Sequence, residues 1–250
     1  MFANSRDEVI APALINEGVY ERLETELFED GVRLGMVIVD IDSNLGYYAC
    51  IAAKLLKGTG RVYAFEPDPK NYDLLIKNTQ LNGYTNVVAI NKAVADTIGM
   101  TSLFLNEHNL GGNSFSQHNV SSTSSVIEVE TTTLDEFVSE TKLLKIDLLK
   151  IDVEGAEGLV FSGAKKLLAN GPKRIFMEFW PDGLRNLGTD ASELGRRLTS
   201  YGYGISVINE NQRRVEKLKD ENTISELIER CRMADTEQCS KVNLLLEKVF

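Results

Sequence analysis

The chain has 250 residues, 43% hydrophobic and 26% charged, which suits a folded globular protein of one large domain with extensions. A formal charge of -10 excludes an electrostatic nucleic-acid binder, because that affinity comes from Lys and Arg neutralising phosphates and no basic stripe compensates here. No apolar run approaches the roughly 18 residues of a spanning helix, and residues 1–30 carry acids throughout, so neither an integral membrane segment nor a signal peptide is expected. Cys50, Cys231 and Cys239 fit neither a zinc site nor a disulfide framework, which predicts a reducing, cytoplasmic home.

Val19, Leu23, Leu27 and Phe28 recur at helical spacing and predict a leading amphipathic helix. Residues 1–34 are therefore expected to form an N-terminal helical extension, with one domain over 35–250. "MVIVDI", 36–41, reads as a strand covered on both faces, since its apolar residues do not alternate. "LGYYACIAAKLL" follows as a helix, "RVYAFEP" (61–67) as a strand, "PKNYDLLIKNTQLNG" as a helix with Pro69 at its start, and "NVVAINKAV" as a strand. This rhythm predicts a parallel sheet with right-handed crossovers.

"GMTSLFL" and "VIEVETTTL" read as two further strands around the polar stretch "NEHNLGGNSFSQHNVSSTSS". A loop of that length is expected to be a lid or binding loop, more mobile than the sheet until ligands bind. The parallel rhythm resumes with the strand "LLKIDV", the helix "EGLVFSGAKKLLANG" and the strand "KRIFMEFW". A helix near 190–201, the strand "YGISVI", a charged helical stretch and the strand "KVNLLLEKV" complete the chain.

The turn after the first strand decides the ligand. In open α/β sheets ligands bind beyond the carboxyl ends of the strands. A dinucleotide turn needs Gly-x-Gly-x-x-Gly so that backbone amides reach the pyrophosphate. Those positions here read Asp42, Asn44 and Tyr47, with a glycine displaced to Gly46. A carboxylate about 5 Å from a phosphate costs roughly 3 kcal/mol per charge at an effective dielectric near 20, which argues against NAD or ATP. S-adenosylmethionine carries a sulfonium, an ammonium and a carboxylate but no phosphate, so an acid-rich loop, Asp40-x-Asp42-x-Asn44-x-Gly46, suits its cationic groups. Positive φ at Asp42 would add a conformational penalty. Glu66, at an exposed strand end in this reading, is placed to hold both hydroxyls of a ribose.

These segments, with "INKAVAD", "TTTLDEF", "LLKIDVEGAEGLVFSGAKKLL", "RIFMEF" and "NLLLEK", resemble the FkbM family of S-adenosylmethionine-dependent methyltransferases from about residue 30 onward. The block Lys150–Glu157 is the most specific part. The resemblance implies a class I Rossmann-like methyltransferase fold, α/β, with a mainly parallel seven-stranded sheet, helices on both faces and an antiparallel last strand. It implies transfer of a methyl group to a hydroxyl of a sugar, glycan or other small molecule. Carried over, the donor loop falls on Asp40, Asn44, Gly46 and Tyr47, the ribose acid on Glu66, and adenine near Asp68 and the Asn91–Ala93 segment. Asp152 and Glu154 lie beside the methionine moiety. The family's Gly-Ala-Asn reads Asp42-Ser43-Asn44 here.

An alcohol acceptor needs a base or a metal to take its proton. Asp152, Glu154 and Glu178 are the candidates at the sheet edge. A divalent ion between Asp152 and Glu178 is weighed against the simpler reading without a metal. Lys150 should share a sheet face with Asp152 and serve catalysis or a structural ion pair. His108 and His118 lie in the polar loop, and His108 is the better placed as a base if the loop folds over the site. Gly111–Ser114 reads as a hinge, a substrate contact or a plain turn. Phe179 and Trp180 stack on a sugar or pack in the core. The alternative to an enzyme is a degenerate Rossmann domain that lost donor binding through Asp42 and acts as a non-catalytic binding module. A homo-oligomer is compatible with the sequence.

Overall fold

The computed structural model describes residues 1–169, 171–219, 221–233 and 240–249. Two helices lead, α1 (Ile10–Glu17) and α2 (Arg22–Gly31). The first half of the main sheet follows as β1 (Val37–Ile41), α3 (Tyr47–Leu56), β2 (Arg61–Phe65), α4 (Pro69–Leu81) and β3 (Val87–Ile90). An excursion comprises β4 (Ala93–Val94), β5 (Gly99–Asn106) and β6 (Thr123–Thr132). The chain returns through α5 (Leu134–Thr141), β7 (Leu148–Ile151), α6 (Glu157–Ser162), α7 (Lys165–Ala169) and β8 (Arg174–Phe179). It closes with α8 (Pro181–Asn186), α9 (Ala191–Ser200), β9 (Tyr203–Asn209), β10 (Arg214–Lys217), α10 (Glu221–Arg232) and β11 (Val242–Lys248).

The main sheet among the described residues has eight strands in the order β10-β9-β11-β8-β7-β1-β2-β3. β8, β7, β1, β2 and β3 pair in parallel, and β11 inserts antiparallel between β8 and β9. The chain leaves β1 in one direction and returns to its other side at β7, which puts the topological switch point between these two strands. A ligand crevice is expected at their carboxyl ends.

Alternation along the strands sorts two cores. Val39, Ile41, Leu149 and Ile151 face one apolar cluster with helices α5 to α10. Ile38 and Leu148 face the other, with Phe28 of α2, Ala49 and Ala52 of α3, and Leu75 of α4. Asp40 and Lys150 share the parity of Ile38 and Leu148, so they point toward the α2–α3–α4 layer. Asp68 caps α4, accepting from the Lys70 amide at 3.0 Å, with Pro69 as the first helical residue.

Two expectations are corrected. "NVVAINKAV" is two strands in two sheets, because β4 pairs with β6 in a small three-stranded sheet β4-β6-β5. At the break, the Asn91 side chain donates to the Glu66 and Pro67 carbonyls at 2.8 and 3.1 Å and turns the chain. The charged stretch after β9 is not all helix: it folds back as the short edge strand β10, and only then forms α10. This adds an eighth strand to the expected seven. Cys50 and Cys231 are buried free thiols pushed up to about 11 by burial, and Cys239 lies outside the described residues.

Candidate functional site

The turn from β1 into α3 runs through three residues with positive φ: Asp42 at 63°, Asn44 at 50° and Gly46 at 85°. Asp and Asn tolerate this region better than most side chains, at a cost of about 1 kcal/mol each. Gly46 is required, since a β-carbon there would come within 2.6 Å of Leu75 Cδ1. The turn is held by Glu66, whose Oε2 accepts the Asn44 amide at 2.7 Å and whose Oε1 accepts the Asp68 amide at 2.9 Å. Glu66 is 1% exposed, so the expected exposed strand end is in fact a buried tie between the loops after β1 and β2. Asp68 is likewise buried and engaged in capping α4. Tyr47 turns away, its hydroxyl accepting from the Tyr20 amide at 3.2 Å and lying 3.2 Å from Thr25 Oγ1.

A narrow cleft of about 20 Å³ opens beside this turn, lined by Asp42, Pro67, Lys92, Ala93, Phe115 and Val153 among others. Asp42 is partly open to it, and Ala93 lies on its floor as β4 begins. Two buried atoms at the turn lack hydrogen-bond partners, Asp40 Oδ2 and Asn44 Nδ2. One is an acceptor and the other a donor. Buried polar atoms are normally paired, so these two stand out at the turn.

The second half of the site stands at the ends of β7 and β8. Lys150, 1% exposed, lies 3.0 Å from Glu24 Oε1 of α2 and donates to Asp152 Oδ2 at 3.2 Å. The Glu24 contact is an ion pair by distance without hydrogen-bond alignment, since both Glu24 oxygens lack a well-aligned donor. Glu21 joins this group by accepting from Asn243 of β11 at 2.9 Å and from the Tyr48 hydroxyl at 3.3 Å. Lys241, just ahead of β11, pairs with Glu154, lies 3.6 Å from Glu178 and sits 4.4 Å over the Trp180 ring. Phe179 and Trp180 are both buried.

Carboxylates outnumber cations here, and burial with mutual repulsion raises them. Burial first, then Glu66, raises Asp42 well above the usual range. Burial brings Glu66 to about 8 against the pull of its two backbone amides, and Asp40 to about 6. Burial brings Glu154 to about 7 despite Lys241, and raises Glu178 with help from Glu154. Burial alone would lower the Lys241 ammonium, but Glu178 and Glu154 overcome it and raise it.

The structure thus brings together Asp40, Asp42, Asn44, Glu66, Lys150, Asp152, Glu154 and Glu178. It does not bring the histidines to them. His108 is more than half exposed and lies 3.2 Å from Glu8 on the surface, and His118 is exposed. Among the described residues no group of three or more His, Cys, Asp or Glu is arranged to hold a metal. Sequence reasoning missed Lys241, Glu21, Glu24 and Tyr20. No local motif marks them; the one usable signal was the buried lysine of β7, which requires a counter-charge from another element.

Strand order and switch-point turn define a class I methyltransferase fold. Two solved structures share it. A candidate methyltransferase from Streptococcus mutans in complex with S-adenosylhomocysteine matches with a TM-score of 0.51 and 10% identity over 91% of this chain and 97% of that one. A methyltransferase FkbM from Methylobacillus flagellatus matches with a TM-score of 0.50 and 13% identity over 89% of this chain and 50% of that one. The methyltransferase FkbM domain profile matches residues 40–205, and the chain belongs to that family. A hexuronic acid methyltransferase, AglP of Haloferax volcanii, is 30% identical over 132 residues, 53% of this chain and 51% of that protein. The match therefore spans about half of that relative's length. No helix among the described residues is long and apolar enough to cross a membrane.

Proposed function

We propose that the chain is an S-adenosylmethionine-dependent O-methyltransferase acting on a hydroxyl of a sugar, glycan or other small molecule. The observation that carries this reading is the surplus of buried carboxylate around the switch-point turn, where, among the described residues, the buried lysines Lys150 and Lys241 are both paired and Lys92 at the cleft pairs with Glu130. Lys150 is neutralised by Glu24 and Asp152, and Lys241 by Glu154 and Glu178. Such a site favours a cationic ligand and repels a phosphate-bearing one. The donor supplies an electrophilic methyl on a sulfonium. Asp40 Oδ2 and Asn44 Nδ2 would receive its ammonium and carboxylate, and Glu66 its ribose.

The chain's own residues then align the acceptor and take its proton. Glu154 is the best-tuned base: at about 7 it holds a proton far better than an ordinary carboxylate near 4.5. Glu154 would take the proton of the acceptor hydroxyl, whose oxygen receives the methyl that the donor would supply. AglP supports a sugar acceptor by similarity. We also read residues 1–34 as an extension of the 35–250 domain that completes the site, since Glu21 and Glu24 come from it.

The second reading, a fold that lost donor binding, rests on Asp42 and its position among other acids. Calorimetry with S-adenosylmethionine, S-adenosylhomocysteine and NAD separates the two. Binding of the first two without NAD is expected, and absence of all binding would favour the degenerate domain.

A further inference from the structure

The polar segment between β5 and β6 reaches the site through buried side chains rather than through its histidines. Ser114 Oγ donates to the Glu154 carbonyl at 2.8 Å, and Asn119 Nδ2 donates to the same carbonyl at 2.9 Å. Asn119 Nδ2 also lies 3.2 Å from the Gly183 carbonyl of α8 and 3.2 Å from Ser114 Oγ, and Asn119 Oδ1 accepts from Asn186 Nδ2 at 2.8 Å. Ser114 and Asn119 are 1% and 3% exposed. This is a built junction of three segments.

What it holds is unusual backbone. Glu154 has φ 47° and Gly155 φ 92°, so two consecutive residues are left-handed, and the first carries a β-carbon that disfavours it. There is no slack: a β-carbon on Gly155 would meet Asn119 Nδ2 at 2.5 Å and the Gly183 carbonyl carbon at 2.6 Å. Two donors on one carbonyl fix the plane of the 154–155 peptide. That plane in turn sets where the Glu154 side chain leaves the backbone, which is toward Lys241.

We propose that Asn119, assisted by Ser114, is a positioning residue that pins the Glu154 carbonyl and so holds the Glu154 carboxylate against Lys241. This deepens the reading of the site as a methyltransferase centre and rests on it. The charged and titratable groups that face Glu154 are Lys241 before β11, Asp152 after β7, Glu157 of α6, Glu178 of β8, Asp42 after β1 and Tyr20 before α2.

Trp180 is the chain's single tryptophan, and the Lys241 ammonium lies over its ring, so its emission reports the Lys241–Glu154 pair. The test is a fluorescence titration of the ligand-free full chain from roughly pH 5 to 9. The wild type should show a transition with a midpoint at about 7, and Glu154→Gln should abolish it. In Asn119→Ala the midpoint should shift by about half a pH unit or more, because an unpinned carboxylate changes both its burial, which raises it, and its contact with Lys241, which lowers it. Ser114→Ala removes one of the two donors and should shift it the same way by less; it serves alone if Asn119→Ala does not fold. A merely structural clamp would lower the melting temperature and leave the midpoint in place. The proposal is overturned if the foldable variants titrate like wild type, or if the transition survives Glu154→Gln. Calorimetry with S-adenosylhomocysteine on the wild type is independent: absence of binding would remove the donor reading and leave the titration result standing.

Discussion

Asp42→Gly probes the least expected residue of the site. Two backbone terms nearly cancel: glycine relieves about 1 kcal/mol of left-handed strain at φ 63° and costs about 0.4–1 kcal/mol of unfolded-chain entropy. Charge decides the rest. All the groups that raise Asp42 electrostatically are acids, Glu66 foremost, then Asp152, Glu154 and Asp40. In the ligand-free protein the carboxyl therefore resists ionising, and removing it should leave stability near wild type below about pH 4, where the unfolded chain also holds its proton, and raise it progressively toward pH 8. A bound cationic donor reverses the balance. A carboxylate about 5 Å from a positive charge contributes about 3 kcal/mol at an effective dielectric near 20, and the partly open position reduces this to about 1–2 kcal/mol. Asp42→Gly should then weaken S-adenosylmethionine binding about 5- to 30-fold and S-adenosylhomocysteine, which lacks the sulfonium, by less. Calorimetry at pH 8 with both ligands reads the difference. A tenfold or greater gain for S-adenosylmethionine would refute the reasoning, since Asp42 would then be repelling the donor's carboxylate.

Glu66→Ala removes the acceptor of two buried backbone amides as well as the ribose ligand, so it should cost about 2–4 kcal/mol of stability and at least tenfold in affinity for S-adenosylhomocysteine. Thermal melting and calorimetry check the two halves separately, and an unchanged affinity would take Glu66 out of the site. The ligand-free protein should lose stability as pH rises from about 4.5 to 8. Glu66 near 8, Glu154 near 7 and Asp40 near 6 all hold protons in the native state that the unfolded chain releases earlier. The same groups must ionise to attract a cationic donor, so S-adenosylmethionine affinity should rise through that window. A melting temperature that is flat from pH 5 to 8 would contradict this.

The fold was largely legible because its signals are local. Apolar runs of β-branched residues marked β1, β2 and β7, and Asp68-Pro69 marked the start of α4. The failures also have local causes. "NVVAINKAV" reads as one strand because nothing in it reveals that the Asn91 side chain will bond back to the Glu66 and Pro67 carbonyls and redirect the chain into a second sheet. Among the candidate residues, topology put Asp40, Glu66, Asp152 and Glu178 at strand ends of the main sheet, and the family resemblance proposed donor roles for the first three.

Glu24 and Lys241 illustrate the other limit. An acid among Glu21, Glu24, Glu26 and Glu29 on an amphipathic helix looks like part of a solvated face, and helical spacing cannot say that Glu24 alone is 0% exposed. The information sat in the partner instead. Lys150 lies in a four-residue strand whose positions are all buried, and a buried ammonium is tolerable only beside a counter-charge. Asp152 could serve, but it is 30% exposed and at the rim, so the closed side of the pocket still required an acid from another element. Alternation placed that demand on the face covered by α2, α3 and α4, where α3 offers no acid in Tyr47–Leu56, α4 packs on β3 three strands from β7 with its one acid, Asp73, exposed, and α2 offers several. The requirement for a buried carboxylate from the leading helix therefore follows from Lys150 and sheet parity; selecting Glu24 over its neighbours needs the packing angle of α2, which is set by contacts far along the chain.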